Sequence, residues 1–351
     1  MGDTTAGNRR AEPISEPGVR AALPLHRTGA TTSRPSRWRR RVAAALIRVF
    51  RSPSPVGHWD SAEGQDRFLS TYGAALRDLP KPAVVLDIRT DYGLVRVYRF
   101  DGKADAGVPF VLLPGRASAS PVWADNLPGL LATGDVYTLD LLGEPGMSIQ
   151  GRPISSDDDQ AAWLNQVLEA LPERTFHLVG LSIGGWTAAN LAVREPNQIE
   201  TLILIDPVYV VDGMPWKTIA RSLPASLPWL PKSWRDSFSS YTAGGAPVVN
   251  VPVARMIEAG MRHYTLRLPQ PQRVSEDRLA ALRMPVLTII AGRSVMHDPQ
   301  TAARTAECAI PAGTVRIYEA ASHAVNGEYP ERIADDIAAF VTAHRTETPA
   351  G

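Results

Sequence analysis

The chain has 351 residues, of which 44% are hydrophobic and 21% charged, a balance that supplies a sizeable core and excludes wholesale disorder. Its formal charge of +1 does not indicate a nucleic-acid binder, and its single cysteine, Cys308, excludes an internal disulfide framework and a multi-cysteine zinc site. At about 150 residues per domain, this length corresponds to two domains or one elaborated domain.

The charge is distributed unevenly along the chain. Residues 1–51 contain eleven arginines, no lysine and three acids, a formal charge of +8, which leaves −7 for residues 52–351 out of the total of +1. Residues 1–37 show no apolar periodicity, which predicts a disordered basic leader. From Trp38 to Arg51, apolar and arginine side chains fall mainly on opposite sides of a helix at about 100° per residue, which predicts a short basic amphipathic helix.

Two interpretations of this amphipathic helix stay open. It either packs on the body with its arginines in solvent, or makes weak peripheral contact with an anionic membrane through residues 37–51. Its apolar run, residues 42–47, is too short to span a bilayer, which needs about 20 residues, and no convincing cleavage site follows it. We therefore expect a cytoplasmic protein, with membrane-peripheral attachment as the alternative.

Beyond the leader, the periodicities predict alternating strands and helices. Residues 61–79 have the apolar spacing of a helix, which completes an N-terminal helical region over 38–82. Residues 84–90 and 94–100 alternate as the two strands of a β-hairpin. Further strands are predicted at 109–113, 136–142, 175–179, 201–205, 285–291 and 314–318, and helices at 121–132, 156–171, 183–194, 298–309 and 331–344. This order predicts the α/β class, with a mostly parallel central sheet and helices on both faces.

Residues 207–284 interrupt this alternation, because they contain no clear strand and are rich in Pro, Trp and Leu. Since a structureless loop of this length is unusual in a compact domain, we expect an inserted helical cap between two parts of the core, 83–206 and 285–345, with a tail at 346–351. Its large side chains are expected to form a substrate wall or the cap's own small core. They are Trp216, Leu223, Leu227, Trp229, Leu230, Trp234, Phe238 and Tyr241.

The strongest chemical signal is Gly180-Leu181-Ser182-Ile183-Gly184, a G-x-S-x-G pattern between a predicted strand and a predicted helix. The bare pattern is weak, but its strand–turn–helix context favours a nucleophile turn. Gly180 and Gly184 permit a tight turn that lifts the Ser182 hydroxyl above the sheet, and the helix start places backbone N–H groups near a developing oxyanion. We predict Ser182 as a nucleophile; an ordinary glycine-rich turn is the alternative.

A serine hydroxyl needs a base, and His323 is the best placed histidine. It follows the last predicted strand and lies at the same sheet edge as Ser182, where open α/β sheets place their sites. We predict His323 as the general base, with a surface histidine as the alternative, and interpret His297 as a loop histidine. The remaining histidines lie in the leader, before the core, in the strand that carries Ser182, in the cap or at the C-terminus: His26, His58, His177, His263 and His344.

Further motifs accompany the Ser182 turn. Leu-Leu-Pro-Gly-Arg-Ala-Ser-Ala-Ser stands at 112–120, Asp-Leu-Leu-Gly-Glu-Pro-Gly at 140–146, and Glu-Tyr-Pro at 328–330 follows Ser-His at 322–323. With these motifs, residues from about 61 to 345 resemble the α/β-hydrolases, and within that superfamily the carboxylesterase NP type. The resemblance implies an α/β-hydrolase fold and ester hydrolysis through an acyl-enzyme, with Ser182 as nucleophile and no metal or organic cofactor.

The resemblance also implies an oxyanion hole formed by the backbone N–H groups of Ile183 and Arg116. Pro114 precedes Gly115 where the family usually has His-Gly, so the hydrogen bonding of this loop is expected to differ. The family's acid usually stands three residues after the glycine that ends its strand, and after Gly292 that position holds Val295. A valine cannot orient or stabilise an imidazolium.

Two carboxylates are candidates for the missing acid. Asp206 ends the strand at 201–205 and keeps the chain order Ser, Asp, His. Asp298 stands three residues beyond the usual place, and is equally suited to be the N-cap of the following helix, with Pro299 at the first helical position. Absence of any acid is the third alternative.

We therefore expect a serine hydrolase that cleaves a hydrophobic small-molecule carboxylic ester, without nucleic-acid partner, metal or cofactor. A peptidase or lactonase of the same fold is the neighbouring alternative. From a different class, the alternative is a non-catalytic α/β-hydrolase-fold protein used for binding or scaffolding. Val295, Pro114 and the basic leader favour the non-catalytic protein, whereas Ser182 and His323 favour the enzyme.

Overall fold

The computed structural model describes residues 54–103, 107–225, 231–246 and 250–344. The predicted leader, its amphipathic helix and the C-terminal tail lie outside these residues, as do Leu227, Trp229 and Leu230 of the cap. In the described part of the chain, no helix combines the length and apolarity needed to cross a membrane.

Strands and helices alternate through most of the described chain. The strands are β1 (His58–Trp59), β2 (Val84–Thr90), β3 (Gly93–Phe100), β4 (Phe110–Leu113), β5 (Val136–Leu139), β6 (Ile149–Gln150), β7 (Phe176–Leu181), β8 (Ile199–Ile205), β9 (Tyr264–Thr265), β10 (Val286–Ala291) and β11 (Gly313–Tyr318). The α-helices are α1 (Ala62–Leu76), α2 (Leu127–Leu131), α3 (Asp157–Ala170), α4 (Ile183–Ala192), α5 (Trp216–Ala225), α6 (Lys232–Thr242), α7 (Pro252–His263), α8 (Glu276–Ala280), α9 (Pro299–Ala309), α10 (Val325–Glu328) and α11 (Pro330–Ala343).

Within the described residues, nine strands form one mixed sheet. Its order is β11-β10-β8-β7-β4-β5-β3-β2, and β6 pairs with β3. From β11 to β5 each pair of neighbours is parallel, whereas β3 is antiparallel to β2, β5 and β6. The predicted mostly parallel sheet is therefore confirmed, and the carboxyl ends of its parallel strands share one edge.

Hydrophobic cores cover both faces of this sheet. Successive residues of β7 point to opposite faces, so Leu178 belongs to one core and Val179 to the other. Trp163 of α3 packs in the core with Leu178, and Phe68 of α1 packs in the core with Val179. All residues of β4, β5, β7 and β10 are buried, as expected for strands covered on both sides.

Local signals explain where several helices begin. Ser61 is the N-cap of α1, with its side chain accepting a hydrogen bond from Gly64 N–H. Ser156 and Asp159 form a reciprocal capping box at the start of α3. These caps satisfy backbone donors that have no partner inside the helix.

Several predicted elements differ in extent from the observed ones, among them the helix predicted at 61–79, which ends at Leu76, and two of these differences have a local cause. The helix predicted at 121–132 is a 3₁₀ turn, Ser120–Trp123, followed by the short α2, because Pro121 and Pro128 each lie near a helix start and cannot continue a helix. The strand predicted at 136–142 ends at Leu139. Directly after it, the buried Asp140 side chain accepts hydrogen bonds from Ser120 N–H and Met147 N–H, which belong to the chain segments after β4 and after β5.

Helices α5 to α8 lie between β8 and β10, in the segment where the sequence predicts a helical insertion. That segment also contains the two-residue β9, which the sequence analysis did not predict. β9 pairs with β1 in antiparallel register, so the end of α7 is tied to the chain segment before α1.

Candidate active site

Ser182 lies in the sharp turn between β7 and α4. Its backbone has φ 55° and ψ −115°, a conformation that costs energy for a residue with a side chain. A Cβ on Gly180 would collide with the backbone of Gly184, and a Cβ on Gly184 would collide with the end of β4. The two glycines therefore let strand and helix approach closely enough to hold Ser182 in this strained turn.

His323 lies in the loop after β11 and reaches Ser182 across the sheet edge. Its Nε2 is 2.9 Å from Ser182 Oγ, and its Nδ1 is 2.6 Å from Asp206 Oδ2. Because an ionised carboxylate only accepts hydrogen bonds, we assign the ring proton to Nδ1, which leaves Nε2 free to accept the serine proton. The carboxylate of Glu328 accepts hydrogen bonds from the backbone and hydroxyl of Ser322, which fixes the loop beside His323.

Of the two candidate acids, the structure brings Asp206 to His323 and leaves Asp298 elsewhere. Asp206 follows β8, is fully buried and has a positive φ of 41°. Asp298 is exposed and accepts a hydrogen bond from Thr301 N–H as the N-cap of α9. The position after Gly292 that usually carries the acid is Val295, whose carbonyl accepts a hydrogen bond from the Thr218 hydroxyl.

The Asp206 carboxylate has four partners. Oδ1 accepts a hydrogen bond from Ala291 N–H at 2.9 Å and lies 3.1 Å from His297 Nε2. Oδ2 accepts from the Ser294 hydroxyl at 2.7 Å as well as from His323. Burial alone would raise the pKa of Asp206, but the charges of His297 and His323 and their hydrogen bonds outweigh it and hold that pKa well below its usual range.

The predicted oxyanion donors lie beside the Ser182 turn. A Cβ on Gly115 would be 3.6 Å from Cβ of Ser182, which places the start of the 115–118 loop against the serine. Among the residues that the structure describes, neither Arg116 N–H nor Ile183 N–H has a hydrogen-bond acceptor. Both groups are therefore free to bind an oxyanion at Ser182, and the α4 N-terminus adds its partial positive charge.

Glu144 holds the 115–118 loop through two hydrogen bonds. Its buried carboxylate accepts a hydrogen bond from the Arg116 guanidinium at 2.6 Å and from Ala117 N–H at 3.1 Å, and Ala117 has a positive φ of 54°. The Ser118 hydroxyl donates to the Gly115 carbonyl at 2.9 Å and closes the loop. Burial raises the pKa of Glu144 above its usual range, although the charge of Arg116 opposes this.

A narrow crevice with room for at most about one water molecule is lined by Arg116 and Ile183, the residues of the two predicted oxyanion donors. Its walls are mainly apolar, and the Arg116–Glu144 pair lies at one side. The apolar lining comprises Leu141, Leu142, Trp163, Ile183, Trp186, Leu268, Pro269 and Pro271. The surroundings of Arg116 and Ile183 are therefore mainly apolar.

The expectation that the large cap side chains form the cap's own core is wrong for three of them, and their place in a substrate wall stays a prediction. Trp216 and Leu223 of α5 and Trp234 of α6 are 73%, 62% and 51% exposed. Phe238 is half-buried against the core, and the Tyr241 hydroxyl lies 3.3 Å from the Thr218 hydroxyl.

The sequence did not reveal the residues that hydrogen-bond Asp206 and those that hold the 115–118 loop. Ser294 and His297 flank Val295 in one loop, and that spacing is the only sequence signal that links them to an acid site. Glu144 stands in the 140–146 motif, but the sequence alone does not show which loop it contacts. In the described part of the chain, no group of three or more His, Cys, Asp or Glu side chains is arranged to hold a metal ion.

A serine in a strained strand-to-helix turn, joined through a histidine to a buried carboxylate at the carboxyl edge of a mostly parallel sheet, is the arrangement of an α/β-hydrolase. The chain belongs to the alpha/beta hydrolase family, whose profile matches residues 110–336. The family resemblance predicted from the motifs is therefore confirmed, and the chain is a hydrolase of this type.

Two proteins of Bacillus subtilis (strain 168) are similar over most of their lengths. The uncharacterized carboxylesterase nap is 24% identical over 286 residues, which cover 79% of this chain and 93% of nap. The carboxylesterase YbfK is 23% identical over 286 residues, covering 78% and 93%. The crystal structure of naproxen esterase (carboxylesterase NP) from Bacillus subtilis superposes with a TM-score of 0.74 at 22% identity, over 80% of this chain and 99% of that one. These relatives support an esterase-type activity.

Proposed function

We propose that the protein is a serine esterase that cleaves a hydrophobic small-molecule carboxylic ester through an acyl-enzyme. The observation that carries this proposal is the unbroken series of contacts from Ser182 Oγ through His323 to the buried Asp206, with distances of 2.9 Å and 2.6 Å. This series combines a nucleophile, a base and a charge that stabilises the protonated base.

In the acylation step, Ser182 Oγ attacks the ester carbonyl carbon while its proton moves to His323 Nε2. The carbonyl oxygen becomes an oxyanion, which Ile183 N–H and Arg116 N–H bind. The C–O bond to the alcohol then breaks, and His323 gives its proton to the leaving alcohol oxygen. The acyl group stays on Ser182 as an ester.

In the deacylation step, water attacks the acyl carbon and gives a proton to His323. A second oxyanion forms at the same donors, the bond to Ser182 Oγ breaks, and His323 returns the proton to that oxygen. The products are one carboxylic acid and one alcohol. Asp206 remains ionised throughout and stabilises the imidazolium at each step.

The substrate class is inferred from the surroundings of Ser182. The crevice beside the oxyanion donors has a mainly apolar lining, and the Arg116 charge next to it is already paired with Glu144. We infer that the substrate group beside these donors is apolar, because Arg116, whose charge is already paired, would not offset the desolvation of an ionic group. The names of the similar proteins, carboxylesterase and naproxen esterase, support the same substrate class.

Labelling with a fluorophosphonate probe tests this proposal. We expect the wild type to be labelled, and Ser182→Ala and His323→Ala to be unlabelled or labelled at least about 10³-fold more slowly. Ser155→Ala is a matched control, because the Ser155 hydroxyl donates a hydrogen bond to the carboxylate of Asp159 at the start of α3. An unlabelled wild type would remove the enzymatic proposal, and equal labelling of Ser182→Ala would remove Ser182 as the nucleophile.

A further inference from the structure

The 115–118 loop has a backbone conformation that needs support from outside the loop. Ala117 has a positive φ of 54°, which is unfavourable for a residue with a side chain. Within the loop, the hydroxyl and the N–H of Ser118 both donate to the Gly115 carbonyl, at 2.9 Å and 3.3 Å. These two hydrogen bonds close the turn but do not restrain the peptide between Arg116 and Ala117. Arg116 N–H, an oxyanion donor in the proposed reaction, therefore depends on other contacts for its position.

Glu144 supplies these contacts with both oxygens of its carboxylate. Oε1 accepts a hydrogen bond from the Arg116 guanidinium at 2.6 Å, and Oε2 accepts one from Ala117 N–H at 3.1 Å. The guanidinium ends the Arg116 side chain, and the N–H belongs to the peptide that follows Arg116, so this residue is held from two directions. Because both oxygens accept and one donor is a cation, the arrangement fits an ionised carboxylate.

The position of Glu144 is itself fixed by close packing. The Glu144 side chain is 1% exposed. Helix α7 lies against both segments that the carboxylate joins, since a Cβ on Gly260 would be 2.8 Å from Pro145 Cγ and 3.2 Å from the Ala117 carbonyl oxygen. The carboxylate therefore has little room to move, and it transmits this fixed position to Arg116.

Stability alone is a poor explanation for a carboxylate at this place. The Arg116 side chain is 39% exposed, so only the Glu144 charge is fully removed from water, at a cost that a single ion pair seldom repays. A glutamine of the same shape has one acceptor oxygen and one NH₂ donor, so it accepts from one of the two donors and opposes the other. The ionised carboxylate is the group that satisfies both.

We propose that Glu144 is a positioning residue for the esterase reaction, which holds Arg116 so that its N–H points to the oxyanion formed at Ser182. This inference rests on the proposed esterase function. A displaced N–H loses more affinity for the charged oxygen of the transition state than for the uncharged carbonyl of the bound ester. Loss of the Glu144 contacts should therefore lower kcat more than it raises KM.

Glu144→Gln and Glu144→Asp test this role, with the concentration of intact sites measured by fluorophosphonate labelling run to completion. We expect kcat per labelled site on a short-chain aryl ester to fall about 10- to 100-fold, and KM to stay within about threefold. Asp keeps the charge but is one methylene shorter, so it does not reach both donors and should show the same pattern. If the Gln variant does not fold, the Asp variant carries the test.

Binding of an aryl boronic acid separates positioning from structural support. Ser182 Oγ adds to boron, its proton moves to His323, and boron becomes a tetrahedral anion with no leaving group. The Ki of this inhibitor should rise in the Glu144 variants by the same factor by which kcat/KM falls. Glu173→Gln is the matched control, because that carboxylate bonds the Tyr137 hydroxyl near the start of β5, at the opposite edge of the sheet, and both constants should stay unchanged.

The outcomes distinguish this inference from the proposed function. An unchanged kcat per site in the Glu144 variants, with only a lower thermal stability, would overturn the positioning role, as would a fall in kcat without a matching rise in Ki. In both cases a labelled and active wild type would leave the esterase proposal intact. A wild type that is not labelled would refute the esterase proposal and this inference with it.

Discussion

Nδ1 of His323 lies 2.6 Å from Oδ2 of Asp206, a fully buried carboxylate at the end of β8. On the other side of the ring, Nε2 lies 2.9 Å from Ser182 Oγ, so one imidazole contacts both a hydroxyl and a buried charge. Because Asp206 follows β8 and His323 follows β11, the contact depends on the order of the strands in the sheet. Three separate segments of the chain must therefore fold correctly before the proposed nucleophile has a base.

Replacing Asp206 with Asn should lower kcat on a short-chain aryl ester by about 10⁴-fold, because an amide carries no charge and favours the wrong histidine tautomer. Steady-state kinetics measure this loss. Asp298→Asn is the matched control: Asn caps helices as well as Asp does, so kcat should stay within about twofold. Full activity of Asp206→Asn would refute its role as the acid, and a large loss in Asp298→Asn would show that the wrong carboxylate was chosen.

Ser294→Ala should lower kcat by about 10-fold with little change in KM. The variant removes a hydroxyl that donates to Asp206 Oδ2 at 2.7 Å, and hydrogen bonds to charged groups contribute about 1.5–3 kcal/mol. The loss is smaller than for Asp206→Asn because the carboxylate keeps its charge and its other partners. Ser155→Ala, which removes a serine–carboxylate bond at the surface, is the control in the same assay. An unchanged kcat for Ser294→Ala would mean that the remaining partners, Ala291, His297 and His323, are enough to fix Asp206.

The sheet and the Ser182 turn could be predicted because local patterns determine them. Short apolar runs separated by amphipathic segments indicate parallel strands, and Gly180 and Gly184 indicate a tight turn wherever it lies in the fold. The acid could not be predicted in the same way. Asp206 and Asp298 both satisfy the chain order, and only the pairing of β8 with β10, with Asp206 N–H bonded to Ile289, decides which carboxylate reaches His323.

The environment of the cap side chains was equally beyond prediction from the sequence. A helical period shows that Trp216 and Leu223 share one side of α5, but not whether that side faces the site or solvent. The same holds for His297. Its position in a loop is evident from the sequence, whereas its 3.1 Å approach to Asp206 depends on two strands that are 80 residues apart in the chain being neighbours in the sheet.

Arg116→Ala should destabilise the fold at neutral pH by about 1–3 kcal/mol, because it leaves the buried Glu144 carboxylate with Ala117 N–H as its remaining partner. Without Arg116, the folded-state pKa of Glu144 rises further above its unfolded value. At pH values above this raised pKa, the charged Glu144 carboxylate lowers the variant's free energy of unfolding. This loss of stability becomes smaller as the pH falls through the raised pKa. Thermal unfolding at pH 5 and pH 7.5 should thus show the larger loss at pH 7.5.

The double variant Arg116→Ala with Glu144→Gln is the control for this pH dependence. Gln has the same shape as Glu but does not titrate, so the difference in stability from the wild type should vary much less between the two pH values. A pH-independent loss in Arg116→Ala alone would indicate that the lost packing of the arginine side chain, and not the unpaired charge, causes the destabilisation.

Weak contact of residues 37–51 with an anionic membrane is a proposal that rests on the sequence pattern, since these residues lie outside the described part of the chain. Each basic residue near an anionic surface contributes about 1 kcal/mol, and five arginines share the polar side of the predicted helix. In liposome flotation, the full chain should bind vesicles with anionic lipid, and a variant lacking residues 1–51 should bind less. Replacing Arg37, Arg40, Arg41, Arg48 and Arg51 with Gln keeps the apolar side and should have the same effect, as should high salt. Equal binding by the full chain and the truncated variant would favour the other interpretation, in which this helix packs on the body.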